Sequence, residues 1–162
     1  MSDVGALGLL FAISSLTIMI TFIALGGLYL LFSYGLYRLA DRAGVQNSWL
    51  AFIPFVQYYT MGKVIKEVRI CNFVIPHLEW VLLLAPVVYA ILAQIPFANI
   101  LAGVACFLFY VIVTYHLFKK YSQNAVLMTV IGLLLPFMYA VFVFAIRNNA
   151  PLKVKTLNGV MS

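Results

Sequence analysis

Acid–base or metal chemistry in this chain would have to come from very few side chains, because its 162 residues include only four acids and two histidines. Glu79 and His116 stand out among them. Glu79 opens an uncharged stretch from Trp80 to Phe118, and His116 lies close to the far end of that stretch. Ionisable groups in apolar segments are expensive and often mark function. If the stretch folds as two antiparallel helices, the two groups reach similar depth. Tyr34 and Arg38 would end the preceding helix on that side, with Gln57 in a short segment nearby. The residues Tyr34, Arg38, Gln57, Glu79 and His116 thus form a candidate polar pocket, where a carboxylate could stabilise a protonated imidazole. A plainer reading competes with it. A first-turn glutamate complements the helix dipole, and Trp80 with the tyrosines suits an interfacial belt.

Other chemistries lack their residues. His77 and Glu79 are two apart and face differently on a helix, and neither HExxH nor ExxH occurs, so no metal site is expected. No GxSxG, no phosphate-binding glycine loop and no close carboxylate pair is present. No cofactor and no enzymatic activity are expected. Cys71 and Cys106 form no ligand or disulfide framework, and Cys106, inside an apolar run, reads as a small buried hydrophobe.

The elements that must position these residues are set by apolar length. The chain is 65% apolar and 9% charged, with a mean hydropathy of +1.09. Val4 to Tyr37, Trp80 to Phe118 and Tyr121 to Ile146 carry no formal charge. A crossing helix needs about 20 such residues. The expected fold is an all-α integral membrane bundle in a single domain. It has four transmembrane helices, over residues 7–39, 76–93, 98–118 and 125–146, the last bent at Pro136, and a polar tail over 147–162. The opening Met-Ser-Asp-Val lacks a basic region, so the first helix reads as retained rather than as a cleaved signal.

Between the first two helices, residues 49–59 are aromatic and apolar but span only about half a bilayer. Pro54 sits at their centre, which suggests a re-entrant or interfacial segment with a bend buried against the bundle. Residues 61–70 follow as a basic interfacial helix. Met61, Val64, Ile65 and Val68 fall on one side of it, and Lys63 and Lys66 on the other, with Arg69 close behind. Four spans put Arg38, Arg42, Lys63, Lys66, Arg69, Lys119 and Lys120 on one side and Arg147, Lys153 and Lys155 on the other. The richer side is then cytoplasmic and both termini lie outside. The net charge of +6 belongs to these membrane-flanking clusters and does not indicate nucleic acid.

Ala98, Ala102 and Cys106 recur every fourth residue and offer a close-packing strip, as do Gly26 and Gly27. There is also an internal echo. Tyr34-Gly-Leu-Tyr-Arg38 matches Tyr115-His-Leu-Phe-Lys119, Gln46-Asn47 matches Gln123-Asn124, and Ile53-Pro-Phe55 matches Leu135-Pro-Phe137. This would be a parallel repeat about the membrane normal.

The segment Trp49-x-Ala51-x-Ile53-Pro54-Phe55-x-Gln57-x-Tyr59, then Gly62-Lys63 and later Leu135-Pro136-Phe137, resembles an uncharacterised bacterial family of small multi-pass membrane proteins. The resemblance covers about residues 32–146, with Gln57 where asparagine is more usual. It implies residence in the bacterial inner membrane and no mechanism. The expected function is non-enzymatic: engagement of anionic lipid or a membrane-protein partner, including another copy of the chain, through Lys63, Lys66 and Arg69. The alternatives are a small transporter or channel subunit built on the Glu79/His116 pocket, and an intramembrane enzyme.

Overall fold

The computed structural model describes residues 2–66, 68–70 and 73–152. The fold is helical, with one two-stranded hairpin. Two of its helices are long and apolar enough to cross a membrane, Leu7–Arg42 within the first and Pro96–Tyr121. The first helix, α1, runs Ser2–Arg42 without interruption, because no proline or polar cluster breaks its apolar sequence. Gly44 stops it. Its φ of 71° lets the chain turn, and Val45 donates back to the Ala40 carbonyl at 3.0 Å, a glycine-capped helix end.

The chain then folds back along α1 as a 3-10 helix, Ser48–Phe52, and returns as α2, Val56–Ile65. Depth is fixed by Tyr29, whose hydroxyl donates to the Phe52 carbonyl at 2.6 Å, well back along α1 from its end at Arg42. Reversal occurs at Pro54–Phe55. Phe55 has φ 68° and ψ −48°, and Val56 donates to the Pro54 carbonyl at 2.9 Å, so the tip is a γ-turn in the disfavoured left-handed sense. The expected bend is therefore present at Pro54, but the proline is exposed and does not pack against the bundle. The expected interfacial helix over 61–70 is also replaced. Met61, Val64, Ile65 and Val68 are buried as that pattern required, yet residues 61–65 are the last turns of α2. Strands β1, Val68–Ile70, and β2, Phe73–Ile75, follow as an antiparallel pair in which Arg69 is opposite Val74.

Helix α3, Leu78–Leu92, leads away from this end, and α4, Pro96–Tyr121, comes back. Pro96 is suited to the first turn of α4, where its missing N–H costs no helical bond. The strip Ala98, Ala102 and Cys106 lies toward α3: Ala102 is buried, and Cys106 shares a small cavity with Leu82, Pro86 and Tyr89.

The expected single helix over 125–146 does not form. Leu135 (φ −129°, ψ 86°) separates α5, Ala125–Leu134, from α6, Pro136–Ala145, and the two lie antiparallel. A Cβ on Gly132 would sit 3.9 Å from the Tyr139 Cβ, an approach that a bent but continuous helix cannot make across seven residues. Past α6 and a final 3-10 turn, Asn149 donates to the Tyr121 carbonyl at 2.8 Å and Leu152 to that of Lys120 at 2.7 Å. Proline explains the break. It disfavours the helical conformation of the residue before it and supplies no N–H to the preceding turn.

The echo therefore has a structural counterpart. Each half is a long helix with a basic end, followed by a half-length hairpin with proline and phenylalanine at its tip. The two halves also cap one another. Lys120, ending α4, donates to the Val64 and Ile65 carbonyls at the end of α2, at 2.7 and 3.2 Å. Arg42, ending α1, donates to the Asn148 carbonyl beyond α6. Phe32 against Tyr139, Gly35 against Phe144 and Arg42 against Asn148 show that α6 runs parallel to α1.

Burial is concentrated at this end. Leu36, Leu39, Val64, Leu78, Val113, Leu117, Phe118 and Val143 are fully buried there. Residues 7–27 of α1 are exposed throughout, with Phe11 and Phe22 at 74% and 73%. In water so long an uncovered apolar surface would be untenable.

Candidate functional site: a basic basin at one end of the bundle

Every Lys and Arg among the described residues belongs to the end of the bundle where α1, α2 and α4 finish and α3 begins. The capping contacts of Arg42 and Lys120 bring four helix ends together there. Arg38 precedes Arg42 by one turn, Lys119 adjoins Lys120, and Arg147 follows α6. Arg147 was expected on the opposite side. The reversal at Leu135 brings it back, so among the described residues the cations share a single pole. Lys153, Lys155, Glu67 and Cys71 lie outside the described residues.

Within that pole, a basin of 600 Å³ is lined by Ala43, Val45 and Gln46 after α1, Lys63 on α2 and Lys66 just past its end, and Pro76, His77 and Glu79 at the start of α3. Lys63 is on the outer face of α2, while Val64 and Ile65 turn into the core, and Lys66 follows the helix end with a φ of 71°. Lys63 is half-buried, with Nζ 4.7 Å from the Tyr59 ring centre, and Tyr59 in turn meets Trp80 edge-on at 5.5 Å. Lys66 is exposed at the rim. Glu79 Oε1 lies 3.6 Å from His77 Nδ1 on the same side. The basin thus offers two ammonium groups, an imidazole and one carboxylate, a set that favours an anion.

The aromatic support recurs around the pole. Lys119 lies over Tyr115 at 5.6 Å, and the Arg147 guanidinium lies over Phe144 at 3.7 Å while donating to its carbonyl at 2.9 Å. Aromatic side chains of this kind, bearing a cation on one face, suit the boundary between hydrocarbon and water. The Tyr59/Lys63 and Tyr115/Lys119 spacings of four residues are legible in the sequence. Lys120, beyond the apolar run that ends at Phe118, is tied inward by its two carbonyls.

The candidate pocket of the sequence is dispersed. Glu79 is with His77 in the basin, whereas the His116 Nδ1 donates to the Ile112 carbonyl of its own helix at 2.8 Å. No hydrogen bond or ion pair joins Glu79 to His116 among the described residues. Tyr34 packs on Tyr37 and Phe144, Arg38 is half-buried on α1, and Gln57 lines a different cavity. Of the basic segment, Lys63 and Lys66 share the basin, and Arg69 is in the adjoining hairpin. No cluster of three metal-ligating side chains occurs among the described residues.

Sequence reasoning missed the two glycines that set helix spacing. A Cβ on Gly62 would fall 2.4 Å from the Glu79 Cα, and one on Gly35 would fall 2.9 Å from the Phe144 nitrogen. Nothing lies within 4 Å of Gly26 or Gly27. Gly62 brings α2 hard against the start of α3 and so closes the floor of the basin. No family model, curated protein or solved structure matches the chain.

Proposed function

We propose that this chain is a non-enzymatic integral membrane protein that binds anionic lipid headgroups in the basin around Lys63 and Lys66. In this reading α1 and α4 cross the bilayer, α3 together with the turn that follows it to Ile95 carries the chain across between them, and the two hairpins enter from the basic side to about half depth. Ten helical residues rise about 15 Å, half of a 30 Å hydrocarbon core. Each hairpin satisfies its backbone internally and against the bundle, as a non-spanning segment in lipid must. The basic pole faces the cytoplasm, so the amino terminus is outside and Asn149 inside. The resemblance of residues 49–59 to a bacterial membrane family supports placement in an inner membrane. At 41 residues α1 is about 60 Å long, more than a core of about 30 Å takes up even at a tilt of about 40°, so part of the helix extends beyond the hydrocarbon.

The observation that carries the lipid assignment is the basin itself. Two lysines converge on a cavity at the one pole where the described cations gather, with Tyr59 and Trp80 beside them at the level of the interface. A phosphodiester fits two ammonium groups better than a carboxylate-rich protein surface does, because Glu79 lies within the same basin. Native mass spectrometry of protein in neutral detergent should show phosphatidylglycerol retained over phosphatidylcholine. The double variant Lys63→Gln/Lys66→Gln should abolish that preference. Equal retention of both lipids by the native protein would refute the assignment. Labelling of single cysteines introduced at Gln46 and Asn148 tests the topology: both should react from the cytoplasmic side, and opposite sides would exclude the second hairpin.

A further inference from the structure

A second cavity, of 370 Å³, lies between the hairpins at the level of their tips, about half-way along the bundle. It is walled by Tyr29 and Phe32 of α1, Gln57 and Tyr58 of α2, Tyr110 of α4 and Tyr139 of α6. Its volume is within the range of small-molecule sites. The Gln57 Oε1 is shielded from solvent and has no hydrogen-bond partner among the described residues. A buried acceptor left in this state costs about 1–3 kcal/mol, so its retention calls for a donor.

The hydroxyls of Tyr29 and Tyr139 do not supply one. Tyr29 spends its proton on the Phe52 carbonyl, and Tyr139 points its own at the Met61 sulfur at 3.5 Å. Both oxygens keep the capacity to accept a hydrogen bond. No Lys, Arg or His lines it. Aromatic faces are electron-rich, and desolvated ones bind cations. An unpartnered amide oxygen among aromatic faces, with no cationic side chain in the lining, suits a head that donates hydrogen bonds and carries positive charge, attached to an apolar body.

We propose that the inter-hairpin cavity binds a small amphiphilic ammonium, its N–H groups on Gln57 Oε1 and its charge against the surrounding rings. The site lies between the two hairpins, one from each half of the chain, and repeat-built transporters place substrate at the interface of their repeats. It is separate from the lipid basin and does not depend on it.

The test uses full-length protein in neutral detergent with 4-phenylbutylammonium as probe and 4-phenylbutanol as its neutral counterpart, binding being read by saturable radioligand retention. The ammonium should bind at least tenfold more tightly than the alcohol. Gln57→Leu should weaken it at least tenfold, and Gln57→Glu, which places a carboxylate there, should strengthen it at least tenfold. The glutamate variant decides the matter should the leucine variant fail to fold. Equal binding of amine and alcohol, absence of saturable binding, or an ammonium affinity unchanged in both variants would overturn the proposal. Because no anionic lipid is present, each of these results leaves the headgroup assignment untouched.

Discussion

Gly62→Ala is expected to be the most damaging single-methyl change in this protein. The added Cβ would stand 2.4 Å from the Glu79 Cα and 2.6 Å from its nitrogen, where ordinary contact begins at 3.4 Å. The difference of 1.0 Å must come from backbone, since both atoms it meets are main-chain atoms of the first turn of α3. Overpacking typically costs about 1–3 kcal/mol when side chains can yield. With none to yield, the upper figure applies, and the gain of about 0.5–1 kcal/mol from removing a helical glycine offsets little of it. At about 2–4 °C per kcal/mol for a chain of this size, the melting midpoint should fall by roughly 5–10 °C. Thermal unfolding in neutral detergent, followed by the loss of the monodisperse species, measures this. Gly35→Ala, with its closest approach at 2.9 Å, should fall between, and Gly26→Ala, with nothing within 4 Å, should match the native protein or exceed it. Gly62→Ala as stable as Gly26→Ala would refute the close packing of α2 on α3, and with it the floor of the basin.

Three further outcomes follow from the same geometry. Lys120→Met leaves the Val64 and Ile65 carbonyls without their donor and should cost about 1–3 kcal/mol, read as a lower melting midpoint; an unchanged midpoint would remove the reciprocal capping. Phe55→Gly relieves a left-handed φ of 68° at a side chain that is 67% exposed. Strain of about 1–3 kcal/mol against a glycine entropy cost of about 0.5–1 kcal/mol predicts equal or greater stability, whereas Phe55→Val should be less stable. Glu79→Gln and His116→Gln should be additive within about 0.5 kcal/mol in a double-mutant cycle of thermal stability, since no direct contact joins them; a larger coupling would restore the pocket read from the sequence.

Helical, membrane-suited character was legible in the sequence because apolar length is a local property: Val4 to Tyr37 and Trp80 to Phe118 need no tertiary information to declare it. The inward face of residues 61–68 was legible for the same reason, since helical period alone separates Met61, Val64 and Ile65 from Lys63 and Lys66. So was the bend at Pro54, which proline imposes locally. What Pro136 does was not. A proline within an apolar run permits a kink or a full reversal, and the choice depends on whether α6 finds a partner. Here Gly35 lets α6 pack against α1, and Arg42 caps the far end, so reversal prevails. That one decision carries Arg147 to the basic pole and forms one wall of the cavity between the hairpins. The candidate pocket failed on the same ground: equal depth along two helices follows from sequence, whereas the rotation that would turn Glu79 and His116 toward each other is set by packing around Gly62 and by the bond of His116 to Ile112.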